Sequence, residues 1–271
     1  MARLHMMLSV QYARMADTSN RLADDHTSGN ANISVRQASW IAGVALLVMT
    51  PLAAYANFFV LESLITPGNA EQTARSILNA EGSFRFAIAS IFLVAVLDLI
   101  VAWALYVVFK PVRSGIALIM AWFRVVFAGI FVVAISQLMS VVSILSTADS
   151  SSVFSTEQHY VQALLGINSF YDIWDGALIF VGLHLVILGY LVYKSGTVPS
   201  YESGYIPKVL GALLAIAGVG YVIDSFGQVL VTGYALEVAA FTFLGEVLLI
   251  FWLFIYGRRV SLDGEVAAGA N

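Results

Sequence analysis

Between residues 38 and 257 the chain alternates long apolar stretches with short polar breaks, and most stretches carry one ionisable side chain near their middle. A bilayer hydrocarbon core of about 30 Å needs roughly 20 helical residues to cross it. Six stretches meet that requirement: 38–61, 84–109, 113–145, 172–193, 206–230 and 235–257. Gly, Ala, Leu, Val and Phe follow one another in them without the period-two alternation of a barrel strand, so helices are expected. The pattern predicts an all-α, polytopic transmembrane helix bundle of six spans filling residues 36–259. The third stretch is too long for a perpendicular crossing and must tilt or project beyond the bilayer.

The breaks between stretches carry their own signals. Thr66-Pro67-Gly68-Asn69 stops the first span, and Asn69 with Gln72 has the spacing of a capping box that opens a short surface helix ending at Asn79. Residues 146–155 form a serine-rich loop. Ser155 and Gln158 repeat the capping spacing before an amphipathic segment with Val161, Leu164 and Leu165. Gly196, Pro199, Gly204 and Pro207 make 194–207 a loop of turn formers. No internal repeat stands out, so the inverted-repeat signature of many transporters is not evident.

Composition agrees with the membrane reading. The 271 residues are 60% hydrophobic and 11% charged, against about 25% charged in an ordinary soluble domain. Mean hydropathy is +0.86. The absence of cysteine excludes disulfides, thiolate catalysis, iron–sulfur clusters and Cys-type zinc sites. A net charge of −4 does not point to a polyanionic partner, and no nucleic acid is expected. Residues 1–35 are polar and read as a disordered cytoplasmic tail, with a weakly amphipathic segment at 3–15 and Met15 as an alternative start. The apolar patch 6–10 is too short for a signal peptide. Residues 260–271 read as a second disordered tail.

Positive charge sets orientation. With the N-terminus cytoplasmic, that side holds Arg3, Arg14, Arg21, Arg36, Lys110, Arg113, Lys194, Lys208, Arg258 and Arg259. The other side holds Arg75 and Arg85. Both termini are therefore expected inside.

Four ionisable residues, Asp98, Arg124, His184 and Glu246, fall near the midpoints of their spans. A charge at helix centre costs about 2.5–3.5 kcal/mol on insertion scales, so these groups must pair, exchange protons or face water. A short turn through Lys110-Pro111 makes spans two and three antiparallel neighbours, so Asp98–Arg124 is the first expected pair, with Glu246 as the other choice for Arg124 and His184 nearby. A buried ion pair that only specifies helix packing is about as plausible as a functional site. For His184 alone, a bond to a backbone carbonyl is the simpler reading. Asp224 and Gln228, four apart on one face of span five, are candidates for an entrance, as are Tyr171, Asp172, Trp174 and Asp175. Interfacial residues of these types commonly have no such role. Gly182 and Gly189, with Gly211, Ala215 and Gly218, are read as close-packing positions. No strand precedes them, so they are not a phosphate loop, and no cofactor is expected. The tryptophans mostly suit interfacial belts, with Trp103 and Trp122 lying deeper.

Gly182-Leu183-His184, Leu188-Gly189-Tyr190-Leu191, Ser195-Gly196, Leu210-Gly211, Ala217-Gly218-Val219-Gly220-Tyr221 with Asp224-Ser225, and Gly245-Glu246-Val247 form a distinctive wording. Together with Pro67-Gly68-Asn69-Ala70, Leu97-Asp98 and Phe123-Arg124, it resembles the bacterial membrane family called domain of unknown function 4386, over residues 36–259. The resemblance implies a six-helix protein of the bacterial cytoplasmic membrane and supplies no substrate or reaction.

Three functions compete. The first is binding or translocation of a proton, small solute or lipid at the Asp98/Arg124/His184/Glu246 cluster, with Pro51 as the one proline away from the ends of a span. The second is an accessory or structural subunit whose small-residue faces bind a protein partner or another copy. The third is an intramembrane hydrolase, for which zinc would need His184 with two carboxylates. Arg124 would oppose a dication there, and no serine elbow is present. An enzyme is therefore the least favoured of the three.

Overall fold

The computed structural model describes residues 33–148, 154–196, 205–236, 238 and 244–256. Among them every regular element is helical. α1 (Val35–Ala54) runs on through a π-helical stretch, Tyr55–Leu61, into the single turn α2 (Glu62–Leu64). Pro51 lies one turn before the π-helix. Proline removes an amide donor and crowds the preceding turn, and π-helical widening is one way a helix absorbs such a break.

The link that follows is locked locally. The Thr66 amide donates to Thr73 Oγ1 at 3.0 Å, and that hydroxyl donates back to the Thr66 carbonyl at 3.2 Å. Gly68 sits at φ 74°, a left-handed value that glycine adopts without a Cβ clash. Asn69 then caps α3 (Ala70–Asn79), accepting from the Gln72 amide at 2.9 Å. This is the short helix the spacing predicted.

α4 (Glu81–Thr147) is helical for 67 residues, with one non-helical residue, Arg113, at φ −156° and ψ 99°. A straight helix of that length would reach about 100 Å, more than twice the thickness of a bilayer. Asp98 and Arg124 show that it is not straight. On one rod they would lie about 39 Å apart, yet their side chains meet at 2.5 Å. α4 is therefore a hairpin of two limbs that doubles back near Pro111 and Arg113, as the Lys110-Pro111 turn predicted. The third stretch itself runs without a further break from Arg113 to Thr147, as long as its sequence reads.

α5 (Thr156–Ser195) starts with a full capping box at Ser155 and Gln158. It carries the predicted amphipathic segment and the fourth span as one unbroken helix, so its 40 residues begin well before residue 172. α6 (Tyr205–Leu230) and α7 (Leu244–Tyr256) complete the bundle. The sixth stretch, expected from 235, differs at its start. Residues 231–236 are turn and coil, with Gly233 at φ 75°. The reason is a staple: Tyr234 Oη donates to Asp224 Oδ1 at 2.7 Å and the Val238 amide donates to the same oxygen at 3.0 Å. The expectations for residues 1–32 and 257–271 lie outside the described residues.

Neighbours in sequence pack in space: α1 on α4, α4 on α5, α5 on α6, α6 on α7, and α7 back on α1. Between membrane helices close approach and hydrogen bonds do the work that water-driven burial does elsewhere. The α5–α6 seam shows this most clearly. A Cβ on Gly182 would lie 2.6 Å from the Gly218 carbonyl oxygen, and one on Gly218 would lie 2.5 Å from that of Gly182. Gly189 and Gly211 repeat the reciprocal contact two turns along, with the Ala215 amide nitrogen 2.8 Å from a Cβ on Gly189. The pairing order makes the helices antiparallel. Ser225 adds a bond to the Asp175 carbonyl at 2.9 Å, and Ser39 closes α1 to α7 through the Leu253 carbonyl at 2.8 Å.

The outer surface is greasy: Leu47, Phe59, Val96, Trp122, Val133 and Phe251 are all exposed. Such a surface suits acyl chains, not water. Trp103 and Trp122 belong to it, so neither lines an interior pocket.

Candidate functional site

The hairpin in α4 places two opposite charges face to face. Asp98, on the first limb, is 2% exposed. Arg124, on the second, brings Nη2 to 2.5 Å from Asp98 Oδ1. The contact is a charge pair without good N–H alignment, since Asp98 Oδ1 and Arg124 Nε make no directed hydrogen bond.

α5 delivers the third group. Gly182 allows its backbone to press against α6, and His184, two residues on, is completely buried. Its Nδ1 lies 2.9 Å from the Met120 carbonyl oxygen, and its Nε2 lies 3.4 Å from Arg124 Nη1. A carbonyl can only accept and a guanidinium can only donate. The proton therefore sits on Nδ1, Nε2 accepts, and the imidazole is neutral. His184 bridges the turn at Met120 and the cation one turn later, so it fixes the guanidinium in place.

α7 brings in Glu246. Gly245 lets α7 approach α6 until a Cβ there would be 2.9 Å from Leu213 and Leu214 backbone atoms. The next residue, Glu246, thereby faces Tyr221 of α6 within hydrogen-bonding reach, and it feels the charges of Arg124 and Asp98 from α4. Its Oε1 is buried with no hydrogen-bond partner.

All four midspan residues predicted from sequence are thus brought together, by α4, α5 and α7. Asp224 and Gln228 are placed otherwise. Asp224 accepts from Tyr234 and from the Val238 amide, and Gln228 is exposed. Tyr171 and Trp174 join an aromatic cluster, with Phe170 5.5 Å and Phe131 5.7 Å from the Trp174 ring. Tyr221 was not among the residues singled out from sequence for chemistry. Its position on the Gly211/Gly218 helix, beside the close-packed seam, was the available signal. Asn57 was also missed: its Oδ1 is buried without a partner inside the π-helix. Among the described residues no group of three or more His, Cys, Asp or Glu could hold a metal ion.

A second feature lies between the α4 limbs, away from the hairpin turn. A cavity of about 480 Å³ is lined by residues that include Arg85, Ile88, Phe92, Met139, Ser143 and Ser146. Arg85 is already paired with Glu81 at 2.7 Å.

Four helical stretches are long and apolar enough to cross a membrane: Val35–Leu64, Glu81–Thr147, Thr156–Ser195 and Pro207–Leu230. Leu244–Ile255 is a shorter apolar helix. Such helices around a buried polar cluster define an all-α membrane protein. The chain belongs to the family described as "Domain of unknown function (DUF4386)", which matches residues 41–257. It is 39% identical over 176 residues to an uncharacterized protein of Archaeoglobus fulgidus (strain ATCC 49558 / DSM 4304 / JCM 9628 / NBRC 100126 / VC-16), covering 65% of this chain and 86% of that relative. No solved structure matches.

Proposed function

We propose that the protein crosses the cytoplasmic membrane six times with both termini inside, and that its midplane cluster binds a small ligand: a proton, a small solute or a lipid. The hairpin in α4 supports two crossings within Glu81–Thr147, and the apolar character of α7 supports the sixth. Ten cytoplasmic against two external basic residues support the orientation. The observation that carries the binding reading is Glu246. Its carboxyl points into the cluster with one oxygen unpartnered, in a setting where polar groups are costly unless used.

A second reading is favoured for part of the cluster. Asp98, Arg124 and His184 bond chiefly to one another and to a backbone carbonyl. That arm has the character of packing glue, as in an accessory subunit. Glu246 does not.

The chain lacks cysteine, so single-cysteine labelling reads topology cleanly. Position 150 is expected to react with an impermeant external reagent and position 200 to stay protected. The opposite result overturns the orientation. For binding, native mass spectrometry detects solutes and lipids, and proteoliposomes with an internal pH dye detect protons. A bound species or proton flux lost in Glu246→Gln supports the site. Signals unchanged in both Asp98→Asn and Glu246→Gln overturn it in favour of packing.

A further inference from the structure

The cluster does not balance electrically. Two carboxylates, Asp98 and Glu246, share one guanidinium, and His184 contributes no charge because its Nε2 accepts from Arg124. One negative charge is left over if both acids ionise. Arg124 cannot serve both equally. Nη2 lies against Asp98 at 2.5 Å and Nη1 faces His184 at 3.4 Å. Its remaining Nε is buried and makes no bond to Glu246 or to any other group.

The groups that face Glu246 are Tyr221 on α6, and Arg124 and Asp98 on α4. Tyr221 offers one O–H and no charge. An ionised carboxylate in an apolar interior with one neutral donor and a cation already committed is strongly disfavoured, and such a group takes up a proton instead.

We infer that Glu246 carries an exchangeable proton and that the ligand of the midplane cluster is this proton, held on a carboxyl that hydrogen-bonds Tyr221. This deepens the binding reading above and rests on it. On release, the Glu246 O–H bond breaks and the proton passes to water. The carboxylate left behind accepts from the Tyr221 hydroxyl and turns towards Arg124, the cation nearest to it. On rebinding, water returns the proton. Asp98 keeps Arg124 throughout. The Asp98–Arg124–His184 arm thus acts as a fixed partner against which Glu246 switches.

Infrared spectroscopy of the purified full chain in lipid nanodiscs tests this directly. A protonated carboxylic acid has a carbonyl stretch clear of the amide and carboxylate bands, and it shifts in D₂O. The expected result at neutral pH is one such band from a buried acid that is shifted by D₂O. It should disappear in Glu246→Gln, persist in Asp98→Asn, move in frequency in Tyr221→Phe, and fade as pH is raised. A wild-type protein without the band, or a band that survives in Glu246→Gln, overturns the inference. So does a band whose loss requires sodium instead of alkaline pH, which would make the ligand a cation. Failure of the broader reading looks different. The band would be present and Glu246-dependent, yet neither proton flux nor a bound species would change in the mutants.

Discussion

Asp98 and Glu246 are two acids in one bundle, both facing Arg124, and they live under opposite conditions. Asp98 has the guanidinium at 2.5 Å, and His184, itself anchored on the Met120 carbonyl, holds that guanidinium from behind. Glu246 has a tyrosine and an oxygen with no partner. The contrast comes from how each is delivered. Asp98 and Arg124 lie on limbs of one hairpin, so covalent connection sets their register. Glu246 arrives on a separate short helix whose position is set by glycine contacts at Gly245 and Gly43. The lesson is that a buried charge is committed where the chain itself forces the meeting, and remains open to exchange where only packing does.

The most severe way to break the comparison is Arg124→Ala. It strands Asp98 without a cation, and losing one partner of a buried pair costs about 3–5 kcal/mol. Unfolding in mixed detergent–SDS micelles should register most of that. A double-mutant cycle sharpens it. Asp98 with Arg124 should couple within the 0.5–3 kcal/mol range of residues in contact, and Glu246 with Arg124 by less than about 0.5 kcal/mol. Equal coupling would erase the distinction between the two acids. His184→Phe comes next, since it removes the group that orients Arg124 and leaves a guanidinium donor unbonded, at about 1–3 kcal/mol. Glu246→Gln should cost under about 1 kcal/mol in the same assay, because an acid that already carries a proton has little charge to lose.

The smallest effect lies outside the spans. The hydrogen bond from Tyr234 to Asp224, then burial and the charge of Asp224, hold the Tyr234 phenol proton above the ordinary tyrosine range. A group with a raised folded-state value stabilises below its unfolded value, near 10, and loses that contribution as pH climbs through the folded one. The turn at 231–236 should therefore stay stapled through neutral pH and loosen only under strongly alkaline conditions. Protease access to that turn, compared with Tyr234→Phe at neutral pH, reads the change.

Much of this was legible before any coordinates. The caps at Asn69 and Ser155, the turn after Lys110-Pro111, the glycine seam and the Asp98–Arg124 pair all follow from short-range spacing or from one hairpin. The start of the last helix was not legible. Residues 235 and 236 lie in the apolar stretch yet are coil, beside the contact that Tyr234 and Val238 make with Asp224 of the preceding helix. Nor was Tyr221, whose partner is on another helix.

Hydropathy is a property of each helix alone, because lipid solvates one segment at a time. Helix count, apolar faces and the presence of costly midspan charges were accordingly readable from the linear order of residues. Which acid would keep the arginine and which would be left with a spare oxygen could not be read that way. That outcome depends on helix rotation and approach within about 3 Å, the length of a hydrogen bond. Such distances are set jointly by every helix that touches the cluster.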